Sequence, residues 1–259
     1  MMSRGTAMSI EQLQRDGLAG PYELADKSGL DKACEVAREL KALRRQQLKV
    51  ARIAGLEDPG QNPNLDRHMD IDCFKALYFD ANLQSVLDEL FGRDLFVWRT
   101  NFFVKFEGVG ENKWHHDRHF ENGDAPLNLY DTSNHFTILL ALTDIDMDAG
   151  RIEYVKGSHL PIEGWDRDIP RHIDEVPENI QDRVTPLPFE RGQFAVFHSS
   201  LLHRSLAFGE GEGRVSMAAR VARKGTEIPE YGSPSTAGGQ HAAAEPVYYY
   251  RDEAIMPLN

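Results

Sequence analysis

A chain of 259 residues, 41% apolar and 27% charged, has the make-up of a soluble globular protein that can bury a large core without disulfides. Two cysteines, Cys34 and Cys73, exclude a disulfide scaffold, and a net charge of −12 argues against nucleic acid as the main partner. The longest apolar run, Phe136 to Leu142, is too short to span a bilayer, and the opening MMSRGTAMSIEQLQRD has no secretory core, so a cytoplasmic protein with no membrane partner is expected.

Residues 1–94 read as mostly helical. Leu30 to Gly55 is rich in Ala, Leu, Lys, Arg and Glu, with Asp31 near its start and a glycine just past its end, the signals of one long helix. Its second half carries Lys41, Arg44, Arg45, Lys49 and Arg52 with no acid between them, the pattern of a solvated face. The turn residues DPGQNPN, with prolines at 59 and 63, form a loop, and Asp72 to Phe91 reads as one or two further helices.

From residue 95 the texture changes. Phe96 to Phe106 is aromatic and β-branched, and strand-like runs follow at Asn134–Thr143, Arg151–Lys156, Val184–Phe189, Gln193–His198 and Arg214–Arg223. Turn clusters such as DMDAG and GEGEG separate them. Short strands without helical crossovers predict a closed or double-sheet β architecture, mainly β with flanking helices, over residues 95–224. Two long polar connections, Glu121 to Ser133 and Leu160 to Arg183, have the length of lids or binding loops. Residues 225–259 form a loop-like tail containing Tyr248, Tyr249 and Tyr250. Nothing demands a domain boundary, so 1–259 reads as one domain.

The chemistry-bearing residues cluster in two places, WHHDRH at 114–119 and FHSSLLHRS at 197–205. In a strand, positions i and i+2 share a face, so His115 and Asp117 project together. A further histidine would complete two imidazoles and one carboxylate, a set that leaves open positions on non-haem Fe(II). A structural zinc site would want a closed shell, usually with cysteines. Taken alone, the His-x-Asp pair is a weak signal, and a surface or core histidine is the better reading. His203 shares a strand face with Leu201 and Ser205, and Arg214 shares one with Ser216, Ala218 and Arg220. An arginine inside a barrel needs a carboxylate, which a dicarboxylate ligand supplies. Taken alone, Arg214 reads as an exposed hairpin residue after GEGEG.

Together, Trp114-His115-His116-Asp117, Leu142-Thr143-Asp144 leading to Gly150-Arg151-Ile152-Glu153-Tyr154-Val155-Lys156-Gly157-Ser158-His159, Gly192 to His198, Leu202-His203-Arg204-Ser205 and Arg214 resemble the phytanoyl-CoA dioxygenase family, from about Phe96 to Arg223. The resemblance implies a double-stranded β-helix (jelly-roll, cupin-like) core that uses Fe(II), 2-oxoglutarate and O2, releasing succinate and CO2. It implies His115, Asp117 and His203 as iron ligands and Arg214, Ser205 and, more loosely, Lys105 as cosubstrate contacts. It makes Gly157-Ser158-His159 a structural turn and His198 a core or supporting residue. Lys156 departs from the family's usual proline, and residues from 225 onward have no counterpart.

Halogenating relatives lack the carboxylate at position 117, so Asp117 favours hydroxylation. Substrate contacts are expected from His116, Arg118, His119, Tyr130, Asn134, Trp165 and Arg167, a polar set suited to a small molecule such as an amino acid or natural-product intermediate. Two other readings stay open: a cupin-like binding protein without turnover, and a zinc hydrolase.

Overall fold

The computed structural model describes residues 4–55, 64–92, 94–117, 134–146, 150–165, 172–226 and 256–257. Helix α1 (Arg4–Asp16) ends at Gly17, whose φ of +83° turns the chain into strand β1 (Leu18–Glu23). A side chain at position 17 would put its Cβ 2.5 Å from His159 Nδ1 and 2.7 Å from Leu201 Cδ1, so only glycine fits this turn. β1 is a strand within the region that the sequence reads as mostly helical. Its Pro21 lacks an N–H, which is tolerated because β1 is an edge strand paired only with β8 (Gln193–His198).

Helix α2 (Leu30–Ala54) closes on Gly55 in the left-handed conformation, as its sequence predicts. The Asp72 to Phe91 segment is two helices, α3 (Asp72–Tyr78) and α4 (Ala81–Phe91). Asp80 divides them: its carboxylate accepts the N–H groups of Asn82 and Leu83 and caps α4.

The remaining strands are β2 (Leu95–Lys105), β3 (Asn112–His115), β4 (His135–Ala141), β5 (Ile152–Val155), β6 (His172–Ile173), β7 (Val184–Leu187), β9 (His203–Ser205), β10 (Arg214–Arg223) and β11 (Met256–Pro257). They form two antiparallel sheets, ordered β1-β8-β4-β10-β2-β11 and β6-β3-β9-β5-β7. This is the double-sheet β architecture with flanking helices that the sequence predicts. No described helix is long and apolar enough to cross a membrane.

The larger sheet is covered on both faces, which explains why every residue of β4 is buried. Phe136, Ile138 and Leu140 pack outward with Leu30, Phe74, Leu83 and Leu87 of the helices. Leu139 and Ala141 pack inward with Ile152, Tyr154, Phe197 and Ala218, between the sheets. On the smaller sheet, Trp165, Val176 and Ile180, from described parts of the 160–183 connection, pack on Trp114, Val155 and Leu202. The 3-10 turn Glu178–Arg183 and β6 lie in this connection.

Candidate active site

His115 ends β3 and His203 opens β9; the two are direct partners across the ladder, with ring centroids 4.3 Å apart. Each ring places Nδ1 near the carbonyl two residues earlier in the chain, His115 on Lys113 at 2.7 Å and His203 on Leu201 at 2.9 Å. A carbonyl only accepts, so both Nδ1 atoms carry the proton and both Nε2 atoms keep a lone pair. Burial, and then the neighbouring His203, push the His115 pKa down to about 3; burial lowers that of His203 as well. Both rings are therefore neutral at neutral pH, the form that binds a metal.

Two depressed histidines have a consequence for the metal-free protein. The unfolded chain takes up protons below about pH 6.5, whereas His115 does so only near pH 3. Its contribution is present in full above pH 6.5 and is lost as pH falls towards 3, by about 2 kcal/mol at pH 5. Urea melts of metal-free protein between pH 5 and 8 should show this loss. His115→Gln should flatten the acid side of the profile; an unchanged profile would remove His115 as its source.

Asp117 lies in a bend beyond the end of β3, so its position is fixed by more than strand alternation. Its N–H donates to the Ser199 carbonyl at 2.7 Å. Thr137 Oγ1 donates to Oδ2 at 2.9 Å, and Arg220 Nη2 donates to Oδ1 at 2.5 Å. Oδ2 is 3.9 Å from His203 Nε2, and the donor atoms of His115, Asp117 and His203 all lie within 4.8 Å of one another. Two imidazole nitrogens and one carboxylate oxygen facing one cavity are a donor set that suits divalent iron.

Arg214 forms the other end of this cavity and is 2% exposed, not the hairpin surface residue it reads as in isolation. Its Nε donates to the Gly150 carbonyl at 3.1 Å and its Nη1 to Ser216 Oγ at 3.0 Å. Burial lowers its pKa to about 10, still well above neutrality, and no carboxylate pairs with it among the described residues. A buried cation without a counter-charge is costly, and a bound carboxylate relieves that cost. Gly150, with φ +63°, brings its carbonyl to this guanidinium, and a Cβ there would stand 3.1 Å from the Leu206 carbonyl. Ser205 and Ser216 line the same end, and Phe103, Leu139, Phe197 and Ala218 form an apolar wall.

Lys105 is placed differently from its expected role. It does not line the cavity; its ammonium donates to the carbonyls of Gly110, Ser205 and Leu206 at 3.1, 3.1 and 2.7 Å. Burial, then the nearby Arg214, lower its pKa to about 8. It braces the chain that follows β9 instead of reaching into the pocket. The Gly157-Ser158-His159 turn is likewise a brace: Ser158 Oγ accepts the Leu202 N–H at 2.9 Å, and the His159 ring lies 3.1 Å from the Gln14 carbonyl.

The expected substrate contacts are dispersed. His116 is buried but lies off the cavity lining, as its position between His115 and Asp117 requires. Trp165 is a core residue, and Asn134 lines a separate cleft with Phe91, His159 and Leu160. His198 lines that same cleft, stacked on His159 at 4.9 Å. Arg118, His119, Tyr130, Arg167 and Tyr248 to Tyr250 lie outside the described residues. Sequence reasoning missed Thr137, Ser216 and Arg220 as site residues. Ser216 and Arg220 were legible on the face of Arg214 by alternation, whereas the pairing of Thr137 with the carboxylate needs the strand order.

The model of the phytanoyl-CoA dioxygenase (PhyH) family matches residues 13–210 of this chain. The chain belongs to that family. The match reaches well upstream of Phe96 and takes in β1 and helices α2 to α4. Among curated proteins none matches this member. Of solved structures, the epimerase SnoN in complex with Fe3+, alpha ketoglutarate and nogalamycin RO superposes with a TM-score of 0.68 at 16% identity, covering 96% of this chain and 97% of that one. CytC3 with Fe(II) and alpha-ketoglutarate gives 0.54 at 21% identity over 95% and 93% of the two chains. The non-heme monooxygenase ThoJ, as a nickel complex, gives 0.58 at 22% identity over 83% and 76%. At these identities the likeness is one of fold, and it identifies the two sheets as the jelly-roll of non-haem oxygenases.

Proposed function

We propose that this protein is an Fe(II)- and 2-oxoglutarate-dependent dioxygenase that hydroxylates an unactivated C–H bond of a small polar molecule, such as an amino acid or natural-product intermediate. The observation that carries the reading is a single cavity with three metal-donor atoms on its wall and, at its other end, a buried guanidinium that no carboxylate pairs among the described residues. Iron held there with 2-oxoglutarate and O2 supplies the oxidising power, releasing succinate and CO2. His115, Asp117 and His203 would hold the iron.

The chain's own groups would do the rest. Arg214 and the hydroxyls of Ser216 and Ser205 grip the far carboxylate of the cosubstrate. Phe103, Leu139, Phe197 and Ala218 exclude water from the reacting centre. Asp117 occupies the carboxylate position, which supports oxygen insertion over halogen transfer. A zinc hydrolase is disfavoured because Asp117 is the one carboxylate on the described lining, leaving no separate general base.

An anaerobic titration of metal-free protein with Fe(II) and 2-oxoglutarate, followed by visible absorption, tests the reading. A weak charge-transfer band is expected in wild type and should be absent in His203→Ala. Bound iron without such a band would favour a cupin-like binding protein instead.

A further inference from the structure

Arg220 is a largely buried charge that the proposed reaction leaves without a task. It sits on β10, which is hydrogen-bonded to a neighbour along both edges, and its side chain is 13% exposed. Its register partner on β4 is Thr137. This cross-strand pair delivers two donors to one carboxylate, Nη2 to Oδ1 of Asp117 and Oγ1 to Oδ2. The two grips differ in kind. The hydroxyl leaves lone-pair capacity on Oδ2, the oxygen nearer His203, whereas the guanidinium places a full positive charge against Oδ1.

We infer that Arg220 is a positioning residue that restricts Asp117 to a single metal-facing oxygen, Oδ2, and so keeps a coordination position open for 2-oxoglutarate or O2. The inference rests on the metal-site reading of the triad. A carboxylate free to turn can chelate a divalent ion with both oxygens, and each oxygen bound to the metal removes one open position. Asp117 cannot turn while Arg220 holds Oδ1, because its N–H is anchored on the Ser199 carbonyl and the guanidinium is carried by an interior strand. A cation against Oδ1 also repels a metal ion approaching that oxygen. Arg220 thus acts through Asp117 and has no need to touch the cosubstrate.

The test uses the full chain, stripped of metal and loaded anaerobically with Co(II), whose visible absorption weakens as its coordination number rises. Wild type should bind Co(II) and then 2-oxoglutarate. Arg220→Met should still bind Co(II) but with weaker visible bands, and its 2-oxoglutarate dissociation constant should rise roughly tenfold because a coordination position is lost, about 1.4 kcal/mol. In Arg220→Ala, added methylguanidinium should restore the wild-type bands, which a merely structural defect would not allow. Wild-type bands and 2-oxoglutarate affinity in Arg220→Met would overturn the inference, as would bands in Arg220→Ala that methylguanidinium leaves unmoved. Wild type that takes up no Co(II) would instead overturn the metal-site reading beneath it.

Discussion

Arg214→Ala should weaken 2-oxoglutarate binding by about 100-fold or more while leaving the protein no less stable. The first half follows from the loss of a two-pronged, charge-assisted grip in a dry pocket, about 1.5–3 kcal/mol for each bond. The second half follows from burial without a counter-charge. Among the described residues the guanidinium donates to a carbonyl and a hydroxyl and meets no carboxylate, so its removal takes away a desolvation cost along with two bonds. Binding measured by the charge-transfer band and stability measured by urea melts of metal-free protein should therefore separate. Unchanged cosubstrate affinity would remove Arg214 from its assigned role and bring the binding-protein reading forward.

Asp117→Ala should do the reverse to stability and end catalysis. Asp117 and Arg220 are a buried ion pair with side-chain exposures of 1% and 13%. Removing one partner strands the other charge, at about 3–5 kcal/mol. For a chain of this size that is a fall in melting temperature of roughly 10 °C. Iron affinity should fall beyond the ~10–100-fold typical of losing an outer hydrogen-bond partner, since a ligand itself is gone. Succinate release coupled to substrate should cease. Full coupled turnover in this variant would mean the triad is wrongly assigned. Asp117→Asn separates the two effects: it keeps an oxygen for Arg220, so stability should suffer less than in Asp117→Ala while iron binding still fails.

These predictions draw on parts of the site that the sequence disclosed unequally. The run from Gln193 to His198 and that from Arg214 to Arg223 carry their strand character in composition, and the structure places both strands on those bounds. β1 was hidden because LAGPYE, with its Gly and Pro, has the composition of a turn, and it becomes a strand only by lying against β8. His115 and Asp117 do face one cavity, though for a partly different reason than alternation. β3 ends at His115, and a hydrogen bond to the 199 carbonyl sets the residue that follows the strand. Of the expected substrate contacts, His116 lies off the cavity lining. Trp165, chosen from the second long connection, packs in a core that only the folded connection creates. Thr137 became visible once β4 was seen beside β10, a pairing between segments some eighty residues apart that no local pattern encodes.

β10 carries both guanidiniums, Arg214 towards one end of the cavity and Arg220 at the Asp117 carboxylate. Six residues of strand separate their backbones by about 20 Å. With β4 along one edge and β2 along the other, that segment has no freedom to stretch or slip, because a one-residue slip would turn both arginines out of the pocket. The strand is a ruler built into the middle of the larger sheet. The long axis of the pocket is thereby a constant of the scaffold, and any change in the molecule it accepts has to be met sideways, by the side chains that the neighbouring strands turn into the cavity.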